Sequence, residues 1–237
     1  MARRSPTRGP HNSVEPSVPG EPVEPPFGGG RRLAHPPGPA GTRRPAGVRD
    51  VYRQYRFTAL AAAAILAGAA LALRAEGRAW LCRCGRVLLW VGDAWSPETS
   101  QQFLDPYSLT HVLHGFVLCG VLALLARGAS VRYRFLTALG VEALWEILEN
   151  SSIVIARYRT ATAALGYTGD TVINSLGDIL CCALGFVIAH RAGLRWTAVL
   201  FAATEVALMA WIRDSLSLDV LMLIYPVGAI RRWQLGQ

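Results

Sequence analysis

Long apolar runs follow one another from residue 57 to residue 230, separated by short polar stretches. The first run, residues 57–73, is mostly Ala, Leu, Ile and Gly, and its 17 residues are just long enough to cross the hydrocarbon core of a bilayer. The last run, residues 217–230, contains an aspartate and a proline and fits a sixth span, a re-entrant piece or an interfacial helix. The runs between them predict further spans at residues 107–126, 131–155, 171–190 and 197–212. The pattern therefore predicts an all-α fold, a polytopic membrane helical bundle of five or six spans.

Two other segments differ from these spans. Residues 80–95 mix apolar positions with charges and carry three tryptophans, a composition that favours a helix or hairpin lying at the membrane interface. Residues 1–49 are rich in Arg, Pro and Gly and have little apolar periodicity, so they cannot bury enough surface to offset the entropy of ordering. We therefore predict a disordered tail at 1–49 and an integral membrane helical domain at 50–237.

Composition and charge sharpen this division. With 52% hydrophobic residues and a mean hydropathy of +0.29, the chain is too apolar for an ordinary soluble domain. All 24 basic residues are arginines, and ten of them precede Thr58, which predicts a cytoplasmic N-terminal tail under the positive-inside rule. The tail lacks interleaved aromatic residues, which argues against nucleic-acid binding. The five cysteines form no disulfide framework, and we interpret Cys82 and Cys84 as two interfacial thiols.

Polar residues interrupt three of the predicted spans at positions that should meet. Consecutive spans alternate in direction, so the start of the second span, the end of the third and the start of the fourth share one side of the membrane. Within each set the spacing places the side chains on one helix face. The sets are His111 and His114; Glu142, Glu146 and Glu149; and Asp170, Asn174 and Asp178.

The energetics of the third span require partners for its carboxylates. Three ionised carboxylates in a span cost roughly 8 to 10 kcal/mol, whereas its large apolar side chains return only about 3 to 6 kcal/mol. The carboxylates must therefore be protonated, bind a cation or face a wet cavity. Intramembrane ionisable residues are candidates for function by default.

The candidate chemistry is metal binding. His111 and His114 present two imidazoles on one face, and a carboxylate from another helix completes a donor set that suits zinc or a similar divalent ion. The candidates for that carboxylate and for a general base are Glu146, Glu149 and Asp178, with Asn174 beside them. Interhelical hydrogen bonding alone explains the same residues, and for Glu142 structural pairing is the favoured interpretation.

Arg157, Arg159 and Asp170 are the candidates for substrate binding. The two arginines lie on the same predicted side as the cluster, and guanidinium groups bind phosphates bidentately. Arginines at the end of a span also serve as interfacial anchors. Asp170 follows a glycine turn at a predicted helix start, where capping explains it equally well.

Five motifs together resemble an uncharacterised family of bacterial multi-pass inner-membrane proteins, catalogued as a domain of unknown function. They are WLCRCG at 80–85, WSPETSQQFLDPYSLTHVLHG at 95–115, WEILENS at 145–151, RYRTATAALGYTGDTVINSLGD at 157–178 and IRDSLSLDVLMLIYPVGAIRRWQ at 212–234. The resemblance covers roughly residues 55–234 and implies location in the plasma membrane. Gln102 stands where the resemblance implies a histidine, which argues against a three-histidine site. A looser likeness to VanZ-type membrane proteins concerns only the fold.

The leading hypothesis is a metal-dependent inner-membrane enzyme that acts on a lipid-linked or anionic envelope substrate at the bilayer. Two alternatives use the same residues: a small transporter or proton relay, and a membrane scaffold of an envelope complex. The sequence contains no G-x-S-x-G elbow and no P-loop, which disfavours serine hydrolases and P-loop nucleotide hydrolases. Whether the protein is an enzyme stays open at this point.

Overall fold

Seven α-helices and no strand make up residues 48–237, the part of the chain that the structure, a computed structural model, describes. They are α1 (Val48–Ala75), α2 (Ser108–Leu125), α3 (Val131–Glu149), α4 (Ser152–Ala161), α5 (Val172–Ile212), α6 (Leu216–Ile224) and α7 (Gly228–Gln234). Three of these, α1, α2 and α5, are long and apolar enough to cross a membrane. The predicted all-α membrane bundle is confirmed. The predicted disordered tail lies outside the described residues, except for its last two positions.

Helix α5 is a hairpin of two antiparallel halves. Its 41 residues would extend about 60 Å if the helix were straight. Both of its ends instead lie beside the same segment: Thr171 N donates to Ser100 O at 3.0 Å, and the Tyr107 hydroxyl lies 3.5 Å from Asp214 Oδ2. The reversal occurs at Gly193, whose φ of 76° and ψ of 167° are non-helical. The two halves, residues 172–192 and 194–212, correspond to two separately predicted spans.

Helix α3 ends earlier than the sequence predicts. We predicted a span at 131–155, but the helix stops at Glu149, and the Ser151 hydroxyl accepts from Val154 N to begin α4. Capping by serine restarts the chain in a new direction. Helix α3 is not among the helices apolar enough to cross a membrane by composition, because five of its 19 residues are charged.

Two further predicted elements differ from the structure. Residues 80–95 form turns and irregular backbone rather than a helix or hairpin, and Val91 N donates to Leu104 O at 2.9 Å. The segment 217–230 forms the short helices α6 and α7, separated at Pro226, and these are too short to span a bilayer. A proline cannot continue a helix, because it lacks the N–H and its ring clashes with the preceding turn.

Glycines allow α2 to pack closely against the first half of α5. A Cβ on Gly115 would collide with the carbonyl of Cys182, and a Cβ on Gly185 would collide with the carbonyl of Val112. Gly177 makes a similar approach to the carbonyl of Phe103. The two helices therefore run side by side in the same direction, with their N-termini at one end of the bundle. Small residues at a helix interface permit this backbone contact inside a membrane.

Helix α1 covers the opposite side of α3 and α5. Ala69 packs in one buried cluster with Leu139 of α3 and Ile179 of α5. At the far end of the bundle, Arg132 at the start of α3 hydrogen-bonds Gln54 near the start of α1. The N-terminal ends of α1 and α3 thus lie at one end of the bundle, and the N-terminal ends of α2 and α5 lie at the other.

A buried carboxylate joins the C-terminal segment to the rest of the bundle. Asp214 Oδ1 accepts from Ser215 N and from Gln234 Nε2, both at 2.9 Å. Burial raises the pKa of Asp214 to about 6, and these hydrogen bonds oppose the rise. The pKa shift makes the attachment of α7 to the end of α5 sensitive to pH.

We expect Gly115→Ala to destabilise the protein and Gly120→Ala to leave it unchanged or slightly more stable. The added methyl at Gly115 forces α2 away from α5 at about 1 to 3 kcal/mol, whereas nothing lies within 4 Å of the same position at Gly120. The measurement is the thermal unfolding midpoint in detergent. Equal midpoints for the two variants would show that the close helix contact is absent.

We also expect the stability to fall as pH rises from about 4 to above 6, in a manner that depends on Asp214. The folded protein holds the Asp214 proton up to a pKa of about 6, whereas an unfolded aspartate releases it near its ordinary value of 3.8. The difference corresponds to a few kcal/mol at most, on the order of 3. In Asp214→Asn this slope should be reduced, while exposed Asp93→Asn should retain it. Parallel pH profiles of the unfolding midpoint for wild type and Asp214→Asn would contradict this account.

Candidate functional site

Glu142 on α3 is the centre of a buried polar cluster. Its Oε1 lies 2.6 Å from His111 Nδ1 and 2.9 Å from His114 Nδ1, and its Oε2 lies 3.1 Å from His114 Nδ1. Both histidines come from the first two turns of α2, where the i, i+3 spacing places them on one face. One carboxylate therefore faces two imidazoles inside the bundle.

Two further carboxylates approach His111 without a hydrogen bond. Glu146 Oε1 lies 3.3 Å from His111 Nδ1, and Asp178 Oδ2 on α5 lies 4.0 Å from His111 Nε2. Glu146 is 0% exposed and Asp178 is 4% exposed. Among the described residues, both oxygens of Glu146 and Oδ1 of Asp178 have no hydrogen-bond partner. Buried carboxylates without partners are rare in folded proteins because an uncompensated charge is costly to desolvate.

A second layer of hydrogen bonds lies nearer the end of the bundle. Asn150, which follows α3, donates to Asp170 Oδ2 at 2.9 Å and accepts from Asp170 N at 2.6 Å. The Tyr167 hydroxyl also donates to Asp170 Oδ2 at 2.9 Å. Burial raises the pKa of Asp170, while the bonds from Asn150 and Tyr167 lower it in part. Asp170 is therefore held rigidly rather than capping a helix.

Asn174 fixes the loop that precedes α2. Its Nδ2 donates to Gln102 O at 2.8 Å and lies 3.5 Å from Asp105 Oδ2. Asp105 in turn accepts from Ser100 N at 2.7 Å and from Tyr107 N at 2.8 Å. Asn174 and Asp105 thus position the entry into α2, and with it the two histidines.

Gln102 takes a structural position beside two cysteines. Its Oε1 accepts from Leu88 N at 2.7 Å, and its Nε2 lies 3.3 Å from Cys84 Sγ. Cys84 is joined to Cys82 by a disulfide, which differs from the two free thiols that we predicted. The side chain of Gln102 serves the loop of residues 84–102, away from the histidines.

The cluster opens into a cavity of about 780 Å³ at this end of the bundle. His111, His114 and Asn174 lie in its wall. Five aromatic residues also line it, namely Trp95, Tyr107, Trp145, Tyr158 and Tyr167. The wall carries six carboxylates and one arginine; these are Asp105, Glu149, Asp170, Asp178, Asp214, Asp219 and Arg213.

The structure brings most of the predicted residues together. Three of the four proposed catalytic residues, Glu149, Asn174 and Asp178, line the cavity, and Glu146 lies behind them beside His111. Asp170 also lies in the wall. The convergence of three helix ends therefore matches the geometry, whereas the roles of the residues stay predictions.

The two arginines predicted to bind substrate lie outside the cavity wall. Arg157 Nε donates to Leu223 O at 2.8 Å and its Nη2 to Ile224 O at 3.2 Å, which ties α4 to the last turn of α6. Arg159 Nε donates to Tyr167 O. Both guanidinium groups satisfy backbone carbonyls, a common use of arginine at helix ends.

Two residues at the site were not among the candidates for catalysis or binding: Glu142, for which structural pairing was favoured, and Arg213. The available signal for Glu142 was its position one turn before Glu146, which gives both carboxylates the same helix face. No spacing pattern links Arg213 to the histidines, because the reversal of α5 brings it to the cavity.

A divalent metal fits the donor set of the cluster. The ligand atoms of His111, His114 and Glu142 lie within 4.8 Å of one another, and a second set with the same bound comprises His111, Glu146 and Glu149. Tetrahedral zinc with bonds of about 2.0 to 2.2 Å separates its donors by about 3.3 Å. The 3.3 Å between Glu146 Oε1 and His111 Nδ1 agrees with that separation, whereas the 2.6 and 2.9 Å from Glu142 Oε1 to the two imidazoles are hydrogen-bond distances.

Comparison with known proteins gives a family and no solved structure. Residues 73–236 match the family described as "Protein of unknown function (DUF2585)". A UPF0314 protein of Sphingopyxis alaskensis is 46% identical over 179 residues, 75% of this chain and 94% of the relative. A UPF0314 protein of Paracoccus denitrificans is 47% identical over 167 residues, 70% of this chain and 86% of the relative. No solved structure matches the chain. The chain belongs to the DUF2585 family, to which the resemblance of its motifs also pointed.

Proposed function

We propose that this protein is an integral enzyme of the bacterial inner membrane that uses a divalent metal and acts on a lipid-linked or other envelope substrate. The observation that carries the proposal is the buried Glu146 carboxylate, which lies 3.3 Å from His111 Nδ1 with neither oxygen hydrogen-bonded. It adjoins a cavity of about 780 Å³ at the end of the bundle. A large cavity with convergent polar groups is the usual form of an active site.

Charge balance supports a metal over hydrogen bonding alone. Glu142, Glu146 and Asp178 surround His111, and no arginine of the described chain forms an ion pair with any of them. Even two protonated histidines would leave an excess of carboxylates among these buried groups. A divalent cation neutralises this excess, whereas purely structural pairing leaves Glu146 unpartnered.

The residues of the site would have different roles, which follow from their positions. His111, His114 and a carboxylate of Glu142 or Glu146 would hold the metal, which when bound supplies Lewis-acid chemistry toward a polar substrate group. Glu149 and Asp178 lie in the cavity wall, within reach of a ligand, and either carboxylate can accept a proton from an attacking hydroxyl. Asn174 positions the loop before α2 and thereby the imidazoles.

The topology supports a cytoplasmic N-terminus with the cavity at the opposite face. The start of α1, the start of α3 and the turn of α5 lie at the far end of the bundle from the cavity. Arg127, Arg132, Arg191 and Arg195 belong to that far end. Ten arginines precede Thr58 in the sequence, and under the positive-inside rule they favour the cytoplasmic side for the start of α1. The cavity then faces the outer side of the inner membrane, where envelope precursors are found.

Metal content tests the cofactor. We expect protein purified without chelator to contain about one divalent metal ion per chain by elemental analysis. His114→Ala and Glu146→Gln should lower metal affinity by ten-fold or more, because each removes a donor while Gln keeps the shape of Glu. Exposed His190→Ala is the matched control and should retain the metal. Wild type without stoichiometric metal, and with normal helix content by circular dichroism, would refute the metal site.

A deletion strain tests the enzyme. We expect one lipid or envelope precursor to accumulate in its extracts, as measured by mass spectrometry, and to disappear on complementation with wild type but not with His114→Ala. His190→Ala should complement fully. Complementation by a His114→Ala protein present at wild-type level would favour a scaffold, in which the cluster only stabilises the bundle.

A further inference from the structure

Arg213 is the single arginine in the wall of the cavity. No hydrogen bond or ion pair joins the Arg213 side chain to another residue of the described range 48–237. Other arginines at this end, such as Arg157 and Arg159, donate to backbone carbonyls. Arg213 is exposed at the end of α5, and its guanidinium lies beside Gly236 at the cavity wall.

The backbone of Arg213 adopts a conformation that glycine would accept more easily. Its φ of 56° and ψ of 30° lie in the left-handed region, at the C-cap of α5 where glycine is preferred. Among the described residues, Ser100 is the one other non-glycine residue with positive φ, and it also lines the cavity. Strained residues concentrate at functional sites, where the side chain justifies the conformation. The arginine side chain therefore has a use at this position that a glycine could not serve.

Arg213 also belongs to a vestibule beside the main cavity. This vestibule, about 430 Å³, is lined by Trp95, Trp211, Ile212, Arg213, Gln234 and Leu235. Trp95 and Trp211 are both more than half exposed. Indole rings anchor at the headgroup level of a bilayer, where one end of the ring is apolar and the other is wet. The vestibule thus combines apolar surface for a lipid chain with one cation.

The charges that line the cavity differ between its interior and its mouth. Six carboxylates line the main cavity and repel an anion from its interior, while the cation lies where the cavity meets the vestibule. The charge distribution therefore favours an anionic group at the mouth, beside Arg213. The remainder of the ligand would extend inward toward His111 and His114.

We propose that Arg213 binds the phosphate of a lipid substrate at the cavity mouth, with its apolar part against Trp95 and Trp211 and its reacting group directed toward the histidines. This inference rests on the proposed function and names the substrate class of that site: a phospholipid or lipid phosphate. A guanidinium donates two parallel hydrogen bonds to phosphate, which an ammonium cannot reproduce. Arg213 replaces the predicted Arg157 and Arg159 in this role.

The test is a binding titration with water-soluble lipids on the full chain in detergent. The probes are dihexanoyl phosphatidic acid, dihexanoyl phosphatidylcholine and inorganic phosphate, and the readout is the dissociation constant from microscale thermophoresis. We expect phosphatidic acid to bind wild type, Arg213→Gln to weaken this binding at least ten-fold, and Arg213→Lys to give an intermediate value. Exposed Arg83→Gln, at the same end but outside the cavity, should bind as wild type does.

Three outcomes would overturn the inference. Equal affinity of Arg213→Gln and wild type would show that the phosphate binds elsewhere. Equal weakening by Arg83→Gln would show that only the net charge of this face matters. Inorganic phosphate binding as tightly as phosphatidic acid, and through Arg213, would show an anion site that does not recognise lipid.

The same titration on protein purified without chelator, with its metal content measured by elemental analysis, separates this inference from the proposed metal enzyme. Binding that depends on Arg213 in protein without stoichiometric metal would retain the lipid site and refute the metal. Normal metal content together with no Arg213-dependent binding would retain the metal and refute the lipid site. Normal thermal unfolding midpoints for the variants confirm that each result reports on the site rather than on folding.

Discussion

The contact of His111 with three carboxylates is the constraint on which the arrangement of the bundle depends. Glu142, Glu146 and Asp178 come from two helices and would each be expensive to bury alone. They are tolerable only if α2, α3 and α5 hold the imidazole at one fixed position between them. The polar groups thus determine how the helices must pack, rather than being added to a bundle that packs without them.

The close approach of α2 and α5 supplies the required precision. At Gly115 and Gly185 the backbones are in direct contact, so the helices cannot slide along each other without a collision. Asn174 and Asp105 fix the loop that leads into α2. Close packing therefore fixes the middle of α2, and hydrogen bonding fixes its start. Both are needed to hold His111 and His114 against Glu142.

Sequence periodicity predicted the fold class and the convergence of the polar residues, because both follow from helix geometry and from alternation of direction. It failed where a single residue decides the path of the chain. Ser151 begins a new helix within the predicted third span, and Pro226 divides the predicted sixth. The role of Arg213 depends on the reversal at Gly193, which no local pattern connects to the histidines. The contacts of Arg157 and Arg159 with backbone carbonyls could not be predicted either, because a charge near a site cannot be distinguished by sequence from a charge that holds two helices together.

The bonds from Arg157 to the carbonyls of Leu223 and Ile224 also have a mechanical consequence. They join α4 and α6 into one cover over the cavity, and separating these helices would leave carbonyls at a helix end unsatisfied. The hydrogen bonds of residues 94–97, by contrast, stay within their own loop. The cavity wall is therefore fixed by hydrogen bonds between elements at α4 and α6, and by local hydrogen bonds within the loop beside Trp95.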